Sequence, residues 1–316
     1  PYTTGYASTY LNVGKMQNRG LEITLETTNI QNKNFTWTTN FNIAFNQSKV
    51  KELSRNQETL LSTVTFDNAY SAEPSYIAQV GKPLGLMYGY IYDGTYKYED
   101  FDVSGGNYTL KSNVPNNGND RSTIQPGDAK YVDINGDGVV DDNDRTIIGR
   151  GQPIHTGGFT NNFKYKNFDL NILFQGSALG SMEYKEPLYN IWGENGGGAL
   201  EQFLDRWHPT DPLADPYDPK TQWVSGHYGY TGHYPKGNSE FNRVSTAYLR
   251  LKSIEIGYTL PRIKALSTMN LRIFANAYNL FTITGVKFVD PEHPDDDLGR
   301  MYPLNKTYTV GMSLSF

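Results

Sequence analysis

Apolar and polar residues alternate without a break over the last nine positions of the chain. Tyr308, Val310, Met312, Leu314 and Phe316 fall on one side of an extended backbone, and Thr309, Gly311, Ser313 and Ser315 on the other. A period of two over nine residues predicts a β-strand with one apolar face. Its length, and the small polar residues opposite, suit a strand that crosses a membrane as part of a barrel. The closing strand of a soluble sandwich would carry the same signal, although soluble domains usually let their last residues fray.

The same alternation recurs upstream. Leu21, Ile23, Leu25 and Thr27 interleave with Glu22, Thr24, Glu26 and Thr28, and Gly14 and Gly20 before them predict a bend or bulge. Phe35, Trp37, Thr39, Phe41, Ile43 and Phe45 form a long aromatic face that would aggregate if left in water. Phe159, Asn161, Phe163 and Tyr165 make a third run, and Phe168, Leu170, Ile172 and Phe174 a fourth. In 246–259 the phase changes between Leu251 and Ile254, which predicts a bulge near Lys252–Ser253. Leu271, Ile273, Ala275 and Ala277 line one face of the sixth run, and the terminal strand is the seventh.

The connections sort by length. Those at 30–34, 166–167 and 260–266 are short; those at about 47–155, 177–245 and 282–303 are long, and the two kinds strictly alternate. Outer-membrane barrels show this asymmetry, with tight periplasmic turns and long extracellular loops, whereas a sandwich gives no reason for it. The expected fold is therefore all-β, an antiparallel transmembrane barrel with long extracellular loops and its C-terminus on the periplasmic side. Seven strands cannot close such a barrel, so residues 1–316 are read as the C-terminal part of a larger one. Within the loops, Leu86–Tyr92 is expected to be a strand and Gln202–Trp207 a short helix.

Composition supports this picture at two points. Hydrophobic residues are only 37% of the 316, yet aromatics reach 14%, with 24 Tyr, 15 Phe and 4 Trp. A barrel needs an apolar residue only at every second position, so a mean hydropathy of -0.58 is compatible with a bilayer, and Tyr suits interfacial girdles. No apolar run approaches the ~18 residues of a membrane helix. The net charge of -5 and the absence of basic runs argue against nucleic acid, and without cysteine no disulfide or thiol chemistry is available.

Most of the candidate chemistry lies in the loops. Asp133, Asn135, Asp137, Val139, Asp141 and Asp144 follow the D-x-N-x-D-G spacing of a calcium loop, with Gly138 at the sharp turn and Val139 offering its carbonyl. Asp144 stands where Glu is usual, which predicts weak, structural Ca2+ binding, roughly 10⁻⁴–10⁻³ M; a turn stabilised by its own Asx bonds would read the same way. The five histidines lack zinc spacing, and Glu292 with Asp295–Asp297 reads as a solvated acidic turn. Trp192, Trp207, Trp223, Tyr228, Tyr230 and Tyr234 crowd one loop, where they would meet a substrate or partner or pack internally. No nucleophile elbow or phosphate loop is present, so the expected protein is not an enzyme.

Several of these segments also carry a resemblance. Asn12–Glu22, Gly89–Gly94, Gly127–Gly149, Tyr165–Leu170, Ala247–Pro261, Asn279–Phe281 and the ending from Tyr302 to Phe316 together resemble the C-terminal part of the SusC/RagA family of TonB-dependent outer-membrane receptors in Bacteroidetes. The match runs in order over nearly the whole chain. It implies a ~22-stranded barrel plugged by an N-terminal domain and uptake of glycans or peptides driven through TonB. It also implies a SusD-like surface lipoprotein as partner, in contact with the loops. Relative to that pattern the plug and the first two-thirds of the barrel are missing. The alternative from the residues alone is a soluble, calcium-stabilised, all-β glycan-binding module.

Overall fold

The structure is a computed structural model that describes residues 14–62, 75–183, 201–215, 218, 220–229, 236, 238–261, 269–287, 290–292 and 304–315. Phe316, part of the turn expected at 260–266, and Trp192, Tyr230 and Tyr234 lie outside the described residues.

Seven strands form one antiparallel sheet in chain order: β1 (Gly14–Gln31), β2 (Phe35–Leu53), β3 (His155–Tyr165), β4 (Phe168–Ala178), β5 (Tyr248–Thr259), β6 (Asn270–Thr284) and β7 (Thr307–Ser315). These are the seven runs of alternation, in the expected register of faces. Leu21, Ile23 and Leu25 pair with Phe45, Ile43 and Phe41, and Phe41 pairs in turn with Phe159, which pairs with Phe174. Further along, Phe174 pairs with Leu251, Leu251 with Phe281, and Ile273 with Met312. The bulge expected at Lys252–Ser253 is present, because the register between β5 and β6 slips between Leu251 and Ser253.

One face of this sheet is therefore continuously apolar, and among the described residues nothing covers it. Val310 is 78% exposed and Met312 77%, with Leu21, Leu25, Ile256 and Ile273 also open. Each such side chain gains roughly 1.5–3 kcal/mol on leaving water. A patch of this extent is far beyond what a water-soluble surface tolerates. Asn161, a polar residue on this face, is buried and satisfied, its Oδ1 accepting from Trp37 Nε1 and Thr39 Oγ1 at 2.9 Å each. Trp37 and Phe163 stack beside it at 5.6 Å, an aromatic girdle at the short-turn end.

The strands run further than hydropathy shows. β2 continues through Gln47, Ser48 and Lys49 to Leu53, and β1 starts at Gly14 with a register slip beside Lys15. The loops accordingly span 54–154, 179–247 and 285–306. Backbone pairing needs no apolar side chains, so a ladder that runs on past the apolar face loses its hydrophobic signal but not its hydrogen bonds. Gly20 marks this passage, since a Cβ there would stand 2.7 Å from the Phe45 carbonyl oxygen. The tight turn at 166–167 puts Lys166 at φ 51.

Candidate functional site

The second face of the sheet is polar and internally bonded. Asn40 Nδ2 donates to Glu26 Oε1 at 2.7 Å, and Asn171 Nδ2 to Asn162 Oδ1 at 2.5 Å. Near the short turns, the Arg272 guanidinium donates to Asp169 and, at 2.7 Å, to Glu255, and lies 5.3 Å over the Phe274 ring. Two glycines give this cluster its room. A Cβ on Gly257 would sit 2.6 Å from Asp169 Oδ2 and collide with Arg272, and one on Gly311 would meet the Phe274 ring at 2.6 Å. These ions are about a third exposed, so they fix charge in place more than they stabilise.

At the opposite, long-loop end the same face carries Arg250, which is 1% exposed. Its Nη2 donates to both oxygens of Asp290 at 2.8 and 2.7 Å, its Nη1 to Glu292, and its Nε to Thr282 Oγ1 at 2.9 Å. The Tyr248 ring lies 5.0 Å beneath it. A segment of the third loop is thus fastened to the inner wall of β5 and β6. Beside it opens a cavity of about 420 Å3 lined by Thr156, Gln175, Ser177, Tyr248, Tyr76 and Glu292, among others. Glu292 is therefore an ion-pair partner and not part of a solvated turn; Asp295–Asp297 lie outside the described residues. Sequence reasoning passed over Arg250 because its partners stand 40 and 42 positions away. The available signal was a cation inside an apolar alternation.

The first and second loops pack into one body. Its cores are short strands and turns, with Tyr90, Tyr131 and Val140 in one cluster and Tyr96, Phe101, Leu110 and Ile124 in another. The strand Leu86–Gly89 begins within the expected segment, and a 3-10 helix at Glu201–Leu204 stands near the expected helix. Gly89 admits the Asn238 carbonyl of the second loop to a position that any side chain would block. Trp207, one of the aromatics read either as a contact or as internal packing, is buried between the loops; its Nε1 donates to Thr95 Oγ1 at 2.8 Å and its ring packs over Gly127. Trp223 lies 6.4 Å from Trp207, and Tyr228 packs on Phe203 at 4.7 Å.

His227 stacks on Phe241 at 4.8 Å on the surface of this body, and partial shielding from water by the rings of Phe241, Tyr92 and Tyr228 pushes its pKa below the ordinary 6.5. The folded form therefore takes up a proton less readily than the unfolded chain. Stability is full above pH 6.5 and falls as the pH drops below it. Hydrogen-exchange protection in 201–215 and 220–229, referred to the intrinsic rate at each pH, is expected to fall between pH 7 and 5 in the native protein and to hold in His227→Phe.

The acidic loop 133–144 is closed by its own backbone. Asp133 accepts from the N–H groups of Gly136 and Gly138 at 2.7 Å each. Asp137 accepts from Val139 and Asp141 from Asn143. Fully buried Asp144 accepts from Ile134, Asn135 and Asp141 at 2.8, 3.3 and 2.8 Å. Among the described residues no three His, Asp or Glu side chains converge into a ready ion cage. A carboxylate offers about four acceptor sites, so Asp133 keeps two and Asp144 one.

No protein-family model matches the sequence. Over its whole length the chain is 29% identical to TonB-dependent receptor P3 of Formosa agariphila. It is 24% identical, over 96% of its length, to the TonB-dependent receptor SusC of Bacteroides thetaiotaomicron. It spans 30% and 27% of the length of these two relatives. All of the chain superposes on part of the RagAB peptide transporter with a TM-score of 0.69 at 23% identity, covering 31% of that chain. On the RagAB peptide importer in the "open-open" state the score is 0.64 at 24% identity. Fold and faces define a segment of a large antiparallel transmembrane β-barrel. Its homologues are TonB-dependent receptors, SusC among them, and the chain matches the C-terminal barrel portion of SusC/RagA-type receptors.

Proposed function

We propose that this chain forms the C-terminal wall of a TonB-dependent outer-membrane importer of glycans or peptides. The long loops face outward, the short turns face the periplasm, and a SusD-like lipoprotein docks on the loop body. The observation that carries this reading is the two-faced sheet: one side apolar and, among the described residues, uncovered, the other a bonded polar wall, with long and short connections sorted to opposite ends. In this role the chain does no bond chemistry. Its polar wall guides a solute, and the Arg250-anchored segment narrows the way past it. The similarity of the chain to SusC and to RagAB supports both the import and the lipoprotein partner. Isolation from detergent-extracted outer membranes should recover a plug-bearing barrel portion and a lipoprotein in equal amounts. A chain that emerges alone and monodisperse in plain buffer would defeat the reading.

Calcium in the 133–144 loop belongs to the same reading. Asp133, Asn135, Asp137, Asp141 and the Val139 carbonyl would hold it, with Asp144 adding a single oxygen because its other sites are taken. The ion would supply no chemistry beyond bracing the loop. Calorimetric titration should give a dissociation constant of roughly 10⁻⁴–10⁻³ M that Asp133→Asn abolishes. No heat and no change in protection up to 5-fold above that range would reject it.

A further inference from the structure

The apolar face ends, toward the long loops, in a group of cations. β1 and β2 are 18 and 19 residues long, well beyond the roughly 9–11 that cross a bilayer. On the projecting ends, alternation keeps Arg19 on the side of Leu21 and Lys49 on the side of Phe45, while Ser48 and Val50 are buried on the other side. Arg19 pairs with Gln47 and Lys49 with Gln17, so the two cations are diagonal neighbours, about 7 Å apart at their Cβ atoms. Lys51 follows at the register slip. Lys15 is held by Glu52, but Arg19, Lys49 and Lys51 make no ion pair among the described residues. The chain as a whole carries -5, so this grouping runs against its overall balance. Arg19 stands two residues beyond Leu21, about 7 Å along the strand, which is the depth of the headgroup layer above the hydrocarbon.

Just below lies a dent in the same face. Gly157 and Gly176 are paired on β3 and β4, so two adjacent strands lack side chains at one level. The resulting groove, about 260 Å3, is walled by Ile43, Phe159, Phe174 and Leu249. His155 closes its upper end, its ring 4.8 Å from that of Phe45. Neither glycine accepts a side chain without backbone movement, since a Cβ would stand 2.7 Å from the Asn42 carbonyl oxygen or 2.8 Å from that of Tyr248.

We propose that Arg19 and Lys49, with Lys51, bind the phosphate of a lipid headgroup, and that one acyl chain of the same lipid fills the Gly157–Gly176 groove. The occupant is a lipid because the groove opens on the face that meets hydrocarbon. It is phosphorylated because the charge above the groove is unpaired and positive, in a fork that a phosphate bridges. The proposal rests on the membrane reading above.

The test uses the complete receptor purified in detergent and native mass spectrometry. The probes are a lipid A carrying one phosphate and the same lipid without it. One phosphorylated lipid should stay bound per receptor, and the dephosphorylated one should wash away. Arg19→Gln/Lys49→Gln should weaken retention roughly thirty-fold, and Leu249→Trp, which fills the groove, should reduce it while leaving the basic group intact. A membrane-embedded receptor that holds both lipids alike, or holds the phosphorylated one unchanged in both variants, would overturn the lipid site alone. Recovery of the receptor in the soluble fraction would overturn the membrane reading together with it.

Discussion

Neutralising both acids of the Arg250 anchor, as Asp290→Asn/Glu292→Gln, is expected to destabilise the protein more than removing the arginine as Arg250→Met. The asymmetry follows from exposure. The Arg250 side chain is 1% exposed, against 20% and 38% for Asp290 and Glu292. Deprived of its acids, the guanidinium remains as an uncompensated charge against Tyr248 and Thr282, a situation that costs about 3–5 kcal/mol when the site cannot open. Deprived of the arginine, the carboxylates turn out to water with their loop, and the loss is local, about 1–2 kcal/mol, because partly exposed pairs are screened. Hydrogen exchange separates the two cases. In Arg250→Met, fast exchange should be confined to 285–292; in the double variant it should spread along β5 and β6 from Tyr248 and Thr282. Equal and purely local effects would mean that Arg250 is not held by burial.

Ile43→Arg and Asn42→Arg, one residue apart, are expected to have opposite fates. Ile43 shares the apolar face with Ile23 and Gly157, and Asn42 points the other way. An arginine on the lipid face costs about 2–4 kcal/mol if it lies near the bilayer midplane; Phe41 is closest to the middle of the apolar stretch Phe35–Phe45, and Ile43 is the next residue of that face toward the long loops. Asn42→Arg places the same charge on the polar wall beside Thr24 and Gly158 and should assemble normally. Cell-surface labelling of a tag in loop 201–215 reads both outcomes. Phe41→Arg should behave as Ile43→Arg does. Normal display of Ile43→Arg would remove the assignment of that face to lipid.

The sheet was legible because its physics is local. Each strand needs an apolar residue at every second position, and from Leu21 to Leu314 that rule alone recovers the strands, their faces and the bulge near Lys252. It stops where the apolar face ends. β2 from Gln47 to Leu53 and β1 before Gly20 are held by ladder bonds, which leave no mark on hydropathy. The loop cores escaped for a related reason. Phe101–Ser104 and Asn107–Leu110 form a hairpin around Gly105–Gly106, yet four-residue strands are too short for a period to declare itself. Aromatic side chains counted as contacts were ambiguous from the start. Trp207 and Tyr131 are buried through partners more than a hundred positions away, and nothing near either residue distinguishes a buried ring from an exposed one. The acidic loop was legible as a loop, while its bonding to backbone N–H groups became visible only in three dimensions.

The union of the first and second loops has a mechanical consequence. Their common body is rooted in the upper ends of four consecutive strands, β2, β3, β4 and β5. A load applied anywhere on that body is shared by four stays, and antiparallel ladders resist shear between neighbours. The third loop has separate moorings on β6 and β7 and touches the wall through Arg250. That residue sits on β5, the last of the four stays. Displacement of the large body therefore reaches the smaller segment at the upper ends of β4 and β5, where Gln175 and Arg250 both meet Glu292.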